Sequence, residues 1–357
     1  MRVLFAPASS KCERVLSPLT AAGVDVELVI HRPGGAWQTV KWLAASTAAN
    51  LSRHADIVLT DACNTPHLMS VTPRFFRHSP VVFRPRGDAW SENASSRPDA
   101  GVMRSPASLS EALLPTLYRR ADAIAAVSSS LGQTIIDRCA IDESKLTVIR
   151  EPVDLERFTP VEDRSAAKSE LDLQYDHVVC LVSNFVYPDK VTGIERFLPV
   201  LHALVEKHPD VAVVVAGGGP LHAPFCERNA RWLEHARIIV PGFIDTIELL
   251  YQAADFLVHF SFLDTLALVL FEAWACGVPV VVNDYPAFRE NVKPGETGYI
   301  VSNEADPQEA LPIFERLLYD DEHRYELGSR GRRYAEEHAS VEVLAEQYLN
   351  LFAELLG

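Results

Sequence analysis

The amino-acid sequence predicts an α/β protein built from two domains of similar construction. Its length of 357 residues suits two domains of ordinary size better than one or four. Short runs rich in Val, Ile, Leu and Ala alternate with helical patterns along most of the chain, as in parallel βαβ units. This alternation breaks once, near residue 160, and then starts again. We therefore expect two parallel sheets, each covered by helices.

The first domain, residues 1–160, is predicted from six short strand-like runs with helix-like stretches between them. The runs are VLFA (3–6), VDVELVI (24–30), ADIVLT (55–60), VVFR (81–84), ADAIAAVS (121–128) and LTVI (146–149). Pro152, Pro160 and a polar stretch then interrupt the pattern, since proline is disfavoured inside helices and central strands. We therefore place the domain boundary near residue 160.

The second domain, residues 161–335, is predicted from five further runs, each preceded by a helix-like stretch. The runs are HVVCLVSNF (177–185), VAVVVAGGG (211–219), ARIIVPGF (236–243), ADFLVHFS (254–261) and VPVVVND (278–284). Strands that alternate with helices again indicate a parallel, Rossmann-like sheet. Residues 336–357 are predicted to form a last helix, because their apolar side chains recur at helical spacing.

Composition and charge exclude several classes of protein. With 48% hydrophobic and 23% charged residues, the chain is of ordinary globular composition, unlike collagenous, disordered or coiled-coil proteins. The net charge of −15 argues against a nucleic-acid partner. Residues 1–160 carry 18 basic and 16 acidic side chains and the remainder carries 15 and 32, so the acidity belongs to the second half. The six cysteines form neither a CxxC pair nor a zinc-type cluster, and we expect no metal.

The densest chemical signal is the stretch SFLDTLALVLFEAWACGVPVVV, residues 261–282. A turn is predicted to lead into a helix that Gly277 ends, with a buried strand after it. Seven residues separate Asp264, at the mouth of this helix, from Glu272, two turns further in among apolar side chains. An unpaired carboxylate is costly to bury, so Glu272 needs a partner. A helix N-cap at Asp264 and a buried salt bridge at Glu272 would be a purely structural explanation.

This pair of acids, followed by EAxAxGxPVV, resembles the signature of the retaining GT-B glycosyltransferases of family 4, or group 1, which includes bacterial mannosyltransferases and sucrose synthase. Further segments agree with that family in order and spacing over residues 145–302. They are VIREPVDLERFTP, PDKVTG, AGGGP, PGFID, LLYQAADFLVHFS and RENVKPGETGYIV. The resemblance implies a GT-B fold, in which two Rossmann-like domains face a cleft and the last helix returns to the first domain.

On the second domain, the resemblance implies a site for a nucleotide diphosphate sugar, the donor substrate, with no cofactor. Glu272 would accept hydrogen bonds from the ribose hydroxyls, and Asp264 from hydroxyls of the transferred sugar. Lys190 would stabilise the leaving diphosphate. The resemblance also implies a glycine turn around Gly218 and a nucleotide base lying on Ile244.

Several positions depart from the family's pattern. Asp264 stands where members usually have Glu, and Asn184 stands where an arginine often precedes the lysine by six residues. The small glycine-containing turn after the first acid is replaced by Thr265, Leu266 and Ala267. Backbone N–H groups of these three residues can still bind phosphate or sugar oxygens, because helix-start amides are independent of side-chain identity.

The sequence directly after Lys190 predicts the start of a helix. Lys190 directly precedes a plausible capping box, in which Thr192 and Glu195 would begin the next helix. A cation beside a helix N-terminus suits a leaving diphosphate. A solvated surface lysine is the structural alternative.

In the first domain, the informative string is VVFRPRGDAWSEN, residues 81–93. It places Arg86 and Asp88 at the carboxyl end of a strand, the edge at which doubly wound sheets bind ligands. Arg86 stands where the family commonly has histidine; it can neutralise phosphate but cannot act as a base near pH 7. Asp88 could accept a hydrogen bond from the acceptor hydroxyl. A turn held by an ion pair between these two residues is the structural alternative, and Gly34 and Gly35 resemble a donor-facing loop in composition only.

The resemblance implies a retaining transfer of a sugar to a glycan or lipid-linked acceptor. It implies a metal-independent reaction, in agreement with the absence of a DxD motif from the sequence. Two alternatives stay open: a nucleotide-sugar epimerase of the same fold, and a degenerate, non-catalytic nucleotide-sugar-binding protein.

Location is predicted from the chain start and from basic residues. The start, MRVLFAPASSKCERVL, lacks the apolar core of a signal peptide, and we expect a cytoplasmic protein. Arg74 and Arg77 flank two phenylalanines, and Arg119 and Arg120 are adjacent. Basic residues interleaved with aromatic ones can hold a protein at an anionic membrane, so a peripheral site at the inner membrane face is a further expectation.

Overall fold

The computed structural model describes residues 1–8, 13–30, 55–62, 79–95 and 107–357. These form two compact units. The first holds the described residues up to Asn93, those from Ala107 to Pro152, and Val341–Gly357; the second holds Val153–Ser340, together with Ala94 and Ser95. The chain thus passes between the units after Pro152 and again after Ser340, where the sequence places the boundaries near 160 and 335.

The first unit contains a six-stranded parallel sheet in the order β2-β1-β3-β4-β5-β6. Its strands are β1 Arg2–Ala8, β2 Asp25–Ile30, β3 Ile57–Ala62, β4 Val81–Pro85, β5 Ala123–Ala126 and β6 Leu146–Val148. Both β4 and β5 are buried along their whole length, as expected for parallel strands covered on two faces. All six predicted strands are therefore present.

The second unit contains another six-stranded parallel sheet, in the order β12-β11-β10-β7-β8-β9. Its strands are β7 His177–Val182, β8 Val211–Ala216, β9 Ile238–Gly242, β10 Phe256–His259, β11 Val280–Asn283 and β12 Gly298–Val301. Sequence reasoning predicted five of these and missed β12. That strand is short and begins with a glycine, whose missing side chain leaves room for the Val280 carbonyl; an added Cβ would lie 2.3 Å from its oxygen.

Helices of the described residues cover both sheets. Up to Pro152 they are α1 Glu13–Ala21, α2 Ala89–Ser95, α3 Ala107–Arg120 and α4 Ser129–Cys139. From Val153 to Ser340 they are α5 Ser165–Glu170, α6 Pro188–Lys207, α7 His222–Arg228, α8 Ala230–Leu233, α9 Ile247–Ala253, α10 Leu268–Ala275, α11 Pro286–Asn291, α12 Pro307–Tyr319 and α13 Asp321–Ala339. The last helix is α14, Val341–Leu356.

The last helix packs on the first unit. Leu344, Tyr348 and Phe352 of α14 are buried in one hydrophobic cluster with Val3 and Phe5 of β1. The helical spacing of apolar residues that predicted this helix corresponds to the face it buries. Among the helices that the structure describes, none combines the length and the apolar character that crossing a bilayer requires.

The predicted capping box at Thr192 is wrong. Helix α6 begins four residues earlier, at Pro188, and Tyr187 is its N-cap. Proline is favoured at the first helical position, because its fixed φ suits the helix and its missing N–H needs no partner there. Lys190 therefore lies in the first turn of α6 and not in a loop before it.

The C-terminus of α10 is confirmed at the predicted glycine. Gly277 has φ +71° and directly follows the C-cap Cys276. The Gly277 N–H donates to the carbonyl oxygen of Trp274 (2.8 Å) and the Val278 N–H to that of Ala273 (2.9 Å), the two bonds of a Schellman motif. This turn leads α10 directly into β11.

Candidate functional site

The candidate site lies at the carboxyl edge of the second sheet, around Asp264. Strand β10 ends at His259, and the loop after it returns through Asp264 to the start of α10. The Lys190 ammonium lies 3.0 Å from Oδ2 of Asp264, and Nε2 of His259 lies 3.1 Å from the same oxygen. The structure thus joins two predicted site residues, Lys190 and Asp264, and adds a third that sequence reasoning missed.

Close helix packing brings Lys190 to this loop. Gly193, one turn after Lys190 on α6, faces the backbone that follows β10: an added Cβ would lie 2.6 Å from Cα of Ser261. The Phe262 N–H also donates to the Asp189 carbonyl oxygen at 3.3 Å. Asn283 fixes the other side of the loop, since its amide side chain exchanges hydrogen bonds with the N–H and carbonyl of Ser261.

The Asp264 carboxylate is ionised and almost fully buried. Its side chain is 8% exposed. Burial, the largest single effect, opposes ionisation, but the Lys190 ammonium and the His259 hydrogen bond outweigh it and hold the pKa of Asp264 well below its ordinary value. We therefore expect the Asp264 carboxylate to be negatively charged at neutral pH, with the Lys190 ammonium and the His259 ring both in contact with it.

The turn after Asp264 is anchored to the same carboxylate. Oδ1 of Asp264 accepts hydrogen bonds from the N–H groups of Thr265 (3.1 Å) and Ala267 (2.9 Å). Leu266 and Ala267 are buried, and Ala267 has a left-handed backbone with φ 55°. Two of the N–H groups predicted to bind phosphate or sugar oxygens thus donate their hydrogen bonds to Asp264 in this structure.

Glu272 lies on α10 and has the partner that its position requires. The Tyr251 hydroxyl on α9 donates to Oε2 of Glu272 at 3.0 Å. Tyr251 is fully buried, and burial together with the neighbouring Glu272 carboxylate raises the pKa of the phenol well above its ordinary value. Glu272 itself is half-buried. This contact is a hydrogen bond from a neutral hydroxyl to the carboxylate.

The glycine turn after β8 is required by backbone packing. Gly217 and Gly219 have φ +137° and +149°. An added Cβ would lie 1.8 Å from the Ser183 carbonyl oxygen at Gly217, and 2.6 Å from the Phe185 carbonyl oxygen at Gly219. Between them, the Gly218 carbonyl accepts the Phe185 N–H at 3.1 Å. The missing side chains of these glycines therefore allow the backbones after β7 and β8 to approach each other closely.

Three further residues lie at this edge of the sheet. Asn184 is exposed and follows β7, and Ile244 is half-buried and follows β9. Phe243, next to Ile244, is 75% exposed, and its Cβ would lie 3.3 Å from a Cβ added at Gly218. Sequence reasoning singled out Ile244 and missed Phe243, although an aromatic residue directly after a strand-ending glycine is a visible signal.

In the first unit, Arg86 is held by a buried acid. Its Nε donates to Oε1 of Glu151 at 2.9 Å, and Arg84 donates to the same oxygen. Arg84 and Glu151 are buried, whereas 21% of the Arg86 side chain is exposed. Glu151 was not predicted as a site residue. It lies 65 positions from Arg86, beyond the reach of any local pattern.

Asp88 is the N-terminal cap of α2. Its carboxylate accepts hydrogen bonds from the N–H groups of Trp90 (3.0 Å) and Ser91 (3.2 Å) and from the Ser91 hydroxyl. Such a cap is a structural role. Arg86, the other member of the ion pair predicted as the structural alternative, pairs with Glu151.

Some predicted residues lie outside the part of the chain that the structure describes. They are Gly34, Gly35, Arg74 and Arg77. Arg119 and Arg120 lie within it, exposed at the end of α3. Within the described ranges, no group of three or more His, Cys, Asp or Glu side chains is arranged to hold a metal ion.

A cavity of about 980 Å³ lies at the opposite end of the second sheet from Asp264. It surrounds Asp255, which directly precedes β10, whereas His259 ends that strand. Asp255 is buried and bonds to Arg164 (2.6 Å) and to the Val178 N–H (2.8 Å). None of the predicted site residues lines this cavity. We therefore assign the Asp255 network to the stability of the second unit.

Sequence comparison divides the chain much as the structure does. Residues 4–157 match the family described as Glycosyltransferase Family 4, and residues 170–334 match the family described as Glycosyl transferases group 1. Spore coat protein SA of Bacillus subtilis is 28% identical over 244 residues, 64% of each chain. The D-inositol 3-phosphate glycosyltransferase of Geodermatophilus obscurus is 31% identical over 222 residues, 60% of this chain and 48% of that protein. The matched region thus spans about half to two thirds of these relatives.

Solved structures share the fold over nearly the whole chain. Anabaena HepE in complex with UDP and glucose superposes with a TM-score of 0.76 at 18% identity, covering 99% of this chain and 100% of that one. Sucrose-phosphate synthase from Thermosynechococcus elongatus superposes with a TM-score of 0.78 at 18% identity, covering 99% and 98%. With both halves matched and the fold shared with GT-B enzymes, the chain belongs to the group 1, family 4 glycosyltransferases.

Proposed function

We propose that the protein transfers a sugar, with retention of anomeric configuration and without a metal ion, from a nucleotide diphosphate sugar to a hydroxyl of a glycan or lipid-linked acceptor. The observation that carries this proposal is the arrangement at the carboxyl edge of the second sheet. There Lys190, Asp264 and Glu272 occupy the start of α6, the loop after β10 and α10. This is the edge at which open α/β sheets bind ligands.

The second unit suits a nucleotide sugar. Lys190 has three N–H donors, of which one is directed to Asp264, so the others suit the oxygens of a diphosphate. The Glu272 carboxylate, oriented by Tyr251, suits the vicinal hydroxyls of a ribose. Ile244 and Gly218 would lie near the base, with the exposed ring of Phe243 beside them. Anabaena HepE, of the same fold, was solved with UDP and with UDP-glucose, which makes UDP the first nucleotide to test.

The proposed chemistry is electrostatic. Negative charge grows on the diphosphate as the glycosidic bond breaks, and the Lys190 ammonium stabilises that charge where a metal ion would otherwise do so. The acceptor hydroxyl then attacks the face that the diphosphate leaves, and it gives its proton to an oxygen of that diphosphate, so the configuration is retained. No covalent intermediate on the protein is needed for this course.

The first unit would bind the acceptor. Part of the Arg86 side chain stays exposed while Glu151 fixes its orientation, and this suits an anionic group such as a phosphate on the acceptor. Asp88, which caps α2, supports the backbone that carries Arg86, so its proposed role is indirect.

The decisive experiment measures donor binding first and turnover second. Thermal shifts with UDP-, GDP- and ADP-sugars identify the nucleotide, and NMR of the product reads its anomeric configuration in the presence of EDTA. We expect one nucleotide class to stabilise the protein and the α-linked donor to give an α-linked product. A donor that changes without any acceptor would instead indicate an epimerase, and binding without turnover a non-catalytic binding protein.

A lipid-linked acceptor would require contact with a membrane. Arg119 and Arg120 are exposed at the end of α3, and such basic residues are attracted to anionic lipid. We expect the protein to co-sediment with liposomes that contain anionic lipid, and raised salt to release it. An Arg74→Ala/Arg77→Ala variant should bind less. Failure to bind anionic liposomes, together with transfer to a soluble sugar, would exclude this part of the proposal.

A further inference from the structure

His259 is a buried polar residue at the end of an otherwise apolar strand. The preceding residues of β10 are Phe256, Leu257 and Val258, all fully buried. The His259 side chain is itself only 3% exposed. A buried imidazole is costly unless its polar atoms are hydrogen-bonded, so its partner explains its presence. That partner is Asp264, 3.1 Å from Nε2.

The proton of this hydrogen bond is on the histidine. Asp264 is ionised, and an ionised carboxylate can only accept hydrogen bonds. Nε2 of His259 must therefore carry a hydrogen, whether the ring is neutral or charged. The ring packs edge-on against Phe288 of α11, with centroids 5.3 Å apart and an interplanar angle of 73°. Phe288 and Asp264 together fix its orientation.

Four hydrogen bonds use both oxygens of Asp264. Oδ2 accepts from Lys190 and His259, and Oδ1 accepts from the N–H groups of Thr265 and Ala267. A carboxylate has about four lone-pair positions. Little capacity is left for hydroxyls of a sugar, the role that the sequence predicts for Asp264. Its surroundings are those of an internal anchor that joins β10, the loop and α6.

We infer that His259 is a positioning residue: it shares Oδ2 of Asp264 with Lys190, and so fixes the carboxylate that aims the Lys190 ammonium at the leaving diphosphate. This inference rests on the proposed function. It changes the role of Asp264 from a sugar contact to the support of Lys190. It also gives His259 a role that the family's pair of acids does not contain.

Charge compensation explains why the histidine affects the reaction. Without the His259 donor, the Asp264 carboxylate attracts Lys190 alone, and its negative charge is less compensated beside the departing diphosphate. Both effects oppose the charge that grows in the transition state, whereas the bound donor already carries its charges in the ground state. Loss of the His259 hydrogen bond should therefore lower kcat more than it changes the affinity for the nucleotide sugar.

Three substitutions at one position provide the test. His259→Leu removes the donor while keeping a side chain of suitable size. In His259→Gln, the amide nitrogen lies as far along the side chain as Nε2, and in His259→Asn it reaches only as far as Nδ1. We expect kcat to fall about tenfold to hundredfold in the Leu and Asn variants, with donor Kd within about threefold, and the Gln variant to stay within about threefold of wild type in both.

Thermal unfolding separates positioning from simple loss of stability, and NMR separates this inference from the proposed function. The inference would be overturned if the three folded variants had the same kcat as one another, or if only the Kd for the nucleotide sugar changed. The proposed function would still stand as long as the wild type turns over its substrate. If the wild type neither binds nor turns over any nucleotide sugar, the proposed function fails. The ¹³Cε chemical shift of Lys190 then tests whether His259 positions Lys190. A shift that moves in His259→Leu and returns in His259→Gln supports the positioning role, and an unchanged shift refutes it.

Discussion

The Tyr251 hydroxyl donates a hydrogen bond of 3.0 Å to Oε2 of Glu272, so a fully buried phenol orients a half-buried carboxylate on α10. The two residues lie 21 positions apart, on consecutive helices of the second unit. The phenol stays neutral across the working range of pH, because burial and the adjacent carboxylate raise its pKa. It therefore acts as a constant donor to the residue that we propose for the ribose.

We expect Glu272→Gln to weaken binding of the nucleotide sugar by about 1.5 to 3 kcal/mol, the range for hydrogen bonds to a charged group. The amide has one acceptor oxygen where the carboxylate has two, and it carries no charge. Titration calorimetry with the preferred donor measures the change. Tyr251→Phe is the matched control: it removes only the orienting hydroxyl and should cost about 1 kcal/mol. Unchanged donor affinity in a folded Glu272→Gln variant would assign Glu272 a purely structural role.

We expect Lys190→Ala to lower kcat more than it raises the KM for the donor. The ammonium is needed most when the diphosphate departs, so its loss is felt in the transition state rather than in the bound ground state. Steady-state kinetics at saturating acceptor separate the two constants. A raised KM with kcat retained would show that Lys190 contributes to ground-state binding only.

Asn184→Arg is the companion to this variant. Asn184 is exposed and lies six positions before Lys190, so an arginine there would add a second positive charge near the proposed diphosphate. We expect tighter donor binding, with an effect that weakens as salt is raised. Asn184→Gln controls for side-chain size without charge and should leave donor affinity unchanged.

We expect Gly193→Ala to destabilise the protein and lower kcat, although alanine normally favours a helix over glycine by about 1 kcal/mol. The added Cβ would lie 2.6 Å from Cα of Ser261 and 2.8 Å from the Phe260 carbonyl oxygen, so α6 must move away from the loop that carries Asp264. Lys190 moves with it. Thr192→Ala, at an exposed neighbouring position, is the control and should leave both properties near wild type. An equally stable and active Gly193→Ala variant would show that the spacing of α6 is unimportant.

Continuous apolar runs explain why so much of the fold is predictable from sequence. Strands β8 and β11 are uniform stretches of Val and Ala with a terminal Asn in β11, and parallel strands buried on both faces require such runs. Strand β12 is not predicted because it begins with a glycine. Gly298 is needed there for close contact with Val280 on the neighbouring strand, which the local sequence does not show. The capping-box pattern predicts that α6 starts at Thr192, but the helix starts at Pro188, because proline is favoured at the first helical position.

The candidate site was predictable only in part, for a different reason. Asp264, Glu272 and Lys190 are visible through a pattern along the chain, but the contact between Lys190 and Asp264 is not. Lys190 and Asp264 lie 74 positions apart, so neither residue signals the other locally. The polar end of an apolar strand was the available signal for His259. Its meaning depends on a loop that folds back five residues later.

The opposite edge of the second sheet gives a prediction that separates stability from function. Burial, the largest single effect, opposes ionisation of Asp255, but His177, Arg164 and Arg324 outweigh it and hold the pKa of Asp255 below its ordinary value. A lowered pKa means that the ionised carboxylate stabilises the fold above the pKa of the unfolded chain, near pH 4. This contribution is lost as the pH falls below that value and through the folded pKa.

We therefore expect Asp255→Asn to lower the free energy of unfolding at pH 7 by about 3 to 5 kcal/mol, because it removes a buried carboxylate that pairs with Arg164 and Arg324. The variant should also lose less stability than wild type when the pH is lowered from about 4 to about 2. Urea denaturation at several pH values measures both effects, with Asp245→Asn at an exposed position as the control. Donor affinity of the folded fraction should be unchanged, since Asp255 lies at the far end of β10 from His259. A variant that keeps its stability but loses donor binding would instead place the nucleotide sugar in the cavity around Asp255.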